Sequence, residues 1–178
     1  MGLLVGLCSL RAAPLPQGVV DEGTGLGTFT NCRLVPAQWN DGDSFGVLFP
    51  DGSTHTLRLY GVDCFETSER HPTDRRRLRS QRAYFGIAGS GGDERSSIKA
   101  AIMLGGAAKK RVGELLSKPF TVHTAWADGR GHPRHKRYYA FITEAGGGDL
   151  GRLLVREGLA RAFGVARARR VGVNQEEY

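Results

Sequence analysis

Sulfur and the largest ring are scarce in this chain. Its 178 residues hold three cysteines, two methionines and two tryptophans. Cys8 lies in an apolar N-terminus, and Cys32 and Cys64 neither demand nor exclude one bridge. No stretch reaches the roughly 18 consecutive apolar residues of a membrane-spanning helix. There is no internal repeat and no long coiled-coil pattern, which excludes solenoids and rods. Acids are the minority charge, with 18 Asp and Glu against 25 Lys and Arg, a formal net charge of +7 and a pI near 9.7. Such a balance favours partners rich in negative charge, nucleic acid or an anionic membrane surface. With 40% hydrophobic and 24% charged residues, the chain has the composition and length of one globular domain.

The N-terminus differs from the rest. An apolar run, Leu3 to Arg11, is followed by Ala12, Ala13 and prolines. Residues 1–17 read as a secretory signal that lacks the usual positive residues before its apolar run; the alternative is a merely apolar terminus. The expected location is secreted or periplasmic, with no stable membrane association once processed. Residues 18–28 read as linker, 29–164 as the domain with an Arg-rich insertion at 67–97, and 165–178 as a basic tail.

Within the domain, "FTNCRLVPAQW", "SFGVLF" and "THTLRLYGV" read as strands, the last two joined by a turn at Pro50 to Gly52. A helix is expected over Arg75 to Ile87 with Asp74 as its cap, and a longer one over Ser97 to Leu116 that Gly105 and Gly106 weaken. Two more strands, "KPFTVHTAW" and "RYYAFITEA", precede a helix capped by Asp149 that stops near Gly158. Five short strands with a helix inserted after the third match the five-stranded OB-fold-type barrel, an α+β, mainly β class. Leu57, Leu59, Val122, Phe141 and Leu154 are expected in its core. Trp39 and Trp126 are expected in strands, as core residues. Of Tyr138 and Tyr139 one is expected buried and one exposed.

In this basic chain, Asp41, Asp43, Asp63 and Glu66 gather around one in-strand arginine, Arg58. A three-strand meander brings Asp43 and Asp63 together. Two carboxylates tolerate proximity when a hard cation sits between them, and oxygen ligands suit calcium or magnesium. Taken singly, each acid reads as a polar turn or loop residue. The basic "GHPRHKR" loop, with His132 and His135, lacks the ligand spacing of a zinc site and reads as a solvated, phosphate-facing loop.

In combination the blocks say more. "DGDS", then "LRLYGVDCFET", a helix, "RYYAFI" and "DLGRLLVREGLAR" occur in this order. The chain resembles the staphylococcal nuclease (thermonuclease) family over about Thr28 to Gly164. The resemblance implies that Asp43 and Asp63 ligate calcium with the Cys64 backbone carbonyl, and that Asp41 supports them. It implies Glu66 as the general base and Arg58 and Arg137 as the arginines that hold the phosphate. The implied activity is a calcium-dependent endonuclease on DNA or RNA, monomeric, leaving 3′-phosphate ends. The alternative is a non-catalytic OB-type module that binds nucleic acid or protein. Phe65 stands where the family carries proline, Cys64 where it carries a small hydroxyl residue, and His135 and Gly164 where some members carry tyrosine. The family's final helix begins about where this chain ends, which implies a fragment or a shorter variant.

The residue types suit the chemistry. A phosphodiester is an anion, so a nucleophile must approach against charge; a dication and two guanidinium forks offset that charge. Arginine binds two phosphate oxygens at once and stays charged.

Overall fold

The computed structural model describes residues 15–130 and 135–164. Most of the expected signal, His132 and Arg134 of the basic loop, and the tail from residue 165 lie outside the described residues. The remainder is an α+β fold built around sheet, with eight strands and three helices among the described residues.

The strands are β1 (Val19–Val20), β2 (Gly27–Val35), β3 (Ser44–Leu48), β4 (Thr54–Leu59), β5 (Val62–Cys64), β6 (Phe120–Thr124), β7 (Arg137–Thr143) and β8 (Ala160–Ala162). The helices are α1 (Pro72–Tyr84), α2 (Glu94–Leu115) and α3 (Leu150–Arg156). The larger sheet runs β1-β2-β3-β4-β7-β6, and β2 also pairs with β6. One strand serves two partners because β2 changes register between Phe29 and Cys32, where Asn31 takes a φ of 59°. Its first part lies against β6 and its last, Arg33 to Val35, against β3. β4 and β7 run parallel. A parallel neighbour needs a long crossover, and here the crossover carries β5, both long helices and β6.

Several expectations change. The linker at 18–28 is ordered in part: Val19 and Val20 pair with Thr28 and Gly27. The third expected strand breaks at Gly61, φ 76°, so β5 leaves the main sheet and pairs with β8 instead. Asp63 therefore sits on a strand rather than a loop. Helix α1 starts at Pro72, not after Asp74; His71 is its N-cap and offers no side-chain bond. Proline suits the first helical position because no intrahelical bond needs its missing N–H. Asp74 lies in the first turn, where its charge favours the helix N-terminus. Helix α2 begins at Glu94, capped by Asp93 accepting from the Ser96 amide. Asp149 caps α3, as expected. Trp39 lies in a turn, 56% exposed, and Trp126 falls outside β6 but packs on the core. Tyr138 and Tyr139 are both half-buried, since rings cover each: Trp126 and His55 beside Tyr138, Tyr60 beside Tyr139.

The main core joins Phe29, Phe45, Val47 and Phe49 to Leu57, Leu59, Val122, Ile142, Leu150 and Leu154. All five residues expected in the core are buried. A second cluster of Phe65, Leu78 and Ala101, flanked by Phe85, Ile87, Ile102 and Leu104, fastens α1 and α2 to the chain that follows β5. Cys32 and Cys64 are buried free thiols.

The two glycines inside α2 have opposite meanings. A Cβ on Gly105 would lie 2.6 Å from the Phe65 carbonyl oxygen and 2.7 Å from that of Glu66, whereas one on Gly106 meets nothing within 4 Å. Gly105 is the point where the helix passes against the Phe65–Glu66 backbone. Gly106→Ala is expected to stabilise the protein by about 0.5–1 kcal/mol, through helix propensity alone. Gly105→Ala is expected to destabilise it by about 1–3 kcal/mol, because backbone must move. Thermal melts of the two variants shifting in the same direction would contradict this packing.

Candidate active site

The turn before β3 is built by Asp41. Its Oδ1 accepts the backbone N–H groups of Asp43 and Ser44, an Asx turn. Gly42 passes so close to Ala108 and Cys64 that a Cβ would lie 2.7 Å from either side chain. The turn is thereby pressed against α2 and β5, and this carries Asp43 inward. Its Oδ1 accepts from Ser44 Oγ at 2.9 Å, and its Oδ2 from the Cys64 N–H at 3.1 Å.

Arg58, opposite Ser44 in the β3–β4 ladder, joins the two acids. Its Nη2 lies 3.3 Å from Asp43 Oδ2 and 3.3 Å from Asp63 Oδ1. Asp63 faces Arg161 across the β5–β8 pair, and its Oδ2 accepts from Arg161 Nε at 3.0 Å and Nη2 at 2.9 Å. All four side chains are buried. The convergence expected of Asp43, Asp63 and Arg58 is therefore present, with Arg161 as an addition.

Glu66 follows β5. Its carboxylate accepts from Arg77 Nη1 at 2.9 Å, and its backbone N–H donates to Gln81 Oε1 at 3.2 Å. Gln81 is fully buried and uses its amide nitrogen as well, donating to Asp63 Oδ2 at 3.0 Å and to the Cys64 carbonyl at 2.7 Å. Burial raises the Glu66 pKa, and the Arg77 bond opposes the rise.

Arg137 opens β7 beside β4. Its Nη1 reaches Ser44 Oγ at 3.4 Å and its Nη2 the Arg130 carbonyl at 3.1 Å, while its Nε is buried without a partner. Among the described residues no carboxylate pairs with it. Burial and the neighbouring Arg58 both lower its pKa from the usual arginine value. A guanidinium so placed is short of an anion.

Asp41 makes no salt bridge among the described residues, although it feels Arg58 and Arg137, and burial, then the Asp43 charge, push its carboxyl up to about 8. Burial disfavours the charged carboxylate, and the neighbouring Asp43 charge adds to that cost. Around the site stand Asp41, Asp43, Asp63 and Glu66 against Arg58, Arg77, Arg137 and Arg161.

No protein-family model matches the chain, and no curated protein matches it.

Among the described residues, no group of three or more His, Cys, Asp and Glu side chains is arranged to hold a metal ion. The donors nevertheless suit a hard cation in kind. Asp41 and Asp43 keep capacity for one. Asp63 and the Cys64 carbonyl are more heavily engaged, by Arg58, Arg161 and Gln81. Arg77, Gln81 and Arg161 belong to the site although the sequence reading did not assign them to it. Arg77 and Gln81 lie four apart on one helix, hence on one face. Arg161 sits at the centre of a three-residue strand too short to signal itself.

Proposed function

We propose that the protein is a phosphodiesterase acting on DNA or RNA as a calcium-dependent endonuclease. Its ring of paired strands, β2-β3-β4-β7-β6 and back to β2, is taken as a five-stranded OB-type barrel, and the parallel β4–β7 pair supports that reading. The observation that carries the function is Arg137: a half-buried guanidinium with a buried, unbonded Nε and no salt bridge among the described residues, next to an acidic cluster. Such a pairing takes an anion and a cation together, and a metal-bound phosphodiester supplies both. The resemblance of the motif order to the staphylococcal nuclease family adds support.

Calcium, held by Asp43 and Asp41 with Asp63 and the Cys64 carbonyl beside them, would supply positive charge that offsets the phosphate anion. Arg137 and Arg58 hold non-bridging phosphate oxygens and stabilise the charge that grows on them. Glu66 takes a proton from water as its oxygen bonds to phosphorus. The bond to the 5′ oxygen breaks, that oxygen gains a proton from solvent, and a 3′-phosphate remains.

The test is cleavage of labelled single-stranded DNA and RNA by the purified protein, with calcium or with chelator. Calcium-dependent cleavage is the expected result. The full set of protein partners on Asp63 favours a second reading, a non-catalytic OB-type module; binding without cleavage is its outcome.

Two further expectations follow. Calcium binding should be weak, with Kd on the order of 10⁻⁴–10⁻³ M, and an oligonucleotide should tighten it. Calorimetry giving the same affinity for Asp43→Ala would remove Asp43 from the site. Substrate affinity should fall steeply with salt, since each phosphate contact releases counterions. Arg76 and Arg79 on α1 are exposed, whereas Arg77 turns inward to Glu66 and Arg75 donates to the Glu69 and Arg70 carbonyls. Replacing Arg76 and Arg79 by Gln should flatten the salt slope by up to about two, one per phosphate contact. An unchanged slope would make that face a bystander.

A further inference from the structure

We infer that Arg77 and Gln81, one turn apart on α1, are the residues that position Glu66, an assignment that rests on the phosphodiesterase reading. A base must be held in place to act, and displacement by about 1 Å costs on the order of 10² in rate. The chain around Glu66 has no proline to stiffen it. Instead, Phe65 is 1% exposed, locked between Leu78, Phe85 and Ala101 in the second cluster. That anchors the residue before the base but leaves the Glu66 side chain free to rotate.

Helix α1 removes the remaining freedom from both ends. Arg77 grips the carboxylate at 2.9 Å, leaving its second oxygen for the reaction. Gln81 accepts the Glu66 N–H with one end of its amide and with the other ties Asp63 and the Cys64 carbonyl. One buried amide thus sets the base at a fixed offset from the acids. Glutamine suits this place because it donates and accepts at once and adds no charge to a site already rich in both signs. The spacing is a property of α1: Pro72 starts the helix, and residues 77, 78 and 81 share the face turned to the site.

Arg77 lies near Arg58 and Arg137, so a direct contact with phosphate is the competing role. The two roles differ in a double-mutant cycle. A residue that acts through Glu66 loses its importance once Glu66 no longer acts as a base. Arg77→Ala is expected to lower kcat by about 10² with KM little changed, and Arg77→Lys to recover part of the loss. In a Glu66→Gln background, Arg77→Ala should cost little more. Arg77 is partly exposed, so these variants are expected to fold, and melts of each provide the control. Equal losses in both backgrounds, or a raised KM at constant kcat, would overturn the inference and leave Arg77 as a substrate contact or a purely structural residue. A cleaving parent whose Arg77→Ala variant cleaves equally well overturns the inference alone. A parent that never cleaves removes the phosphodiesterase reading and the inference together.

Discussion

Glu66→Gln is expected to lower the cleavage rate by about 10²–10⁴ and to leave the fold intact. The two effects separate because of where the partner lies. Arg77 has its side chain 40% exposed. When the carboxylate it grips becomes an amide, the guanidinium turns to water, and an ion pair this open is worth about 0–1 kcal/mol. The Gln81 bond to the Glu66 N–H is backbone-directed and survives the change. Calcium and oligonucleotide should still bind. A rate within a few-fold of the parent would remove Glu66 from the chemistry, and a large drop in melting temperature would mean that its role is structural.

Arg58→Ala is expected to fail in the opposite manner, in the fold as well as in the rate. Arg58 is buried and bridges two buried carboxylates. Removing one partner of a buried ionic group costs about 3–5 kcal/mol, because charge is left uncompensated. Arg161 still covers Asp63, so the orphan is chiefly Asp43. For a domain of this size the loss corresponds to a fall in melting temperature of about 10 °C or more. Millimolar calcium should restore part of it by supplying positive charge to the folded form alone. Below the melting transition the rate should still fall by about 10²–10³, the usual effect of losing one transition-state donor. A variant that melts with the parent would show that the acids do not depend on Arg58. A melting temperature that calcium leaves unchanged would argue against a cation among these acids.

Local chemistry was legible in the sequence where one residue type does one job. The turn at Pro50 to Gly52 and the Asp149 cap follow from backbone preferences, and the core at Leu57, Leu59 and Val122 follows from strand alternation. Asp43 and Arg58 were legible as neighbours because the β3–β4 hairpin sets Ser44 opposite Arg58, whereas Asp63 joins them from β5, past the break at Gly61 and outside the expected meander. One error is local, and the others are settled by contacts between elements. Asp74 looks like a cap, but Pro72 starts the helix first. Trp39 looks like a core residue, yet its ring lies over Gly46 at the edge of the fold. Val19 and Val20 form a strand only because β2 offers an edge. Gln81 is the clearest case. An isolated glutamine in an arginine-rich helix carries no signal, and its three side-chain hydrogen bonds exist only once α1 is docked.

The pairing of Asp63 with Arg161 spans 98 positions of sequence. Chains are made from the N-terminus onward. While the ribosome is still adding residues, Asp43, Arg58, Asp63 and Glu66 are all present long before β8 exists. During that interval Asp63 has neither Arg161 beside it nor a β8 strand to hold β5 in place. The site therefore reaches its full geometry only when the last described strand has been synthesised and has docked. A nascent chain arrested before Gly158 should bind and act as an incomplete protein, even though every acid is already in it.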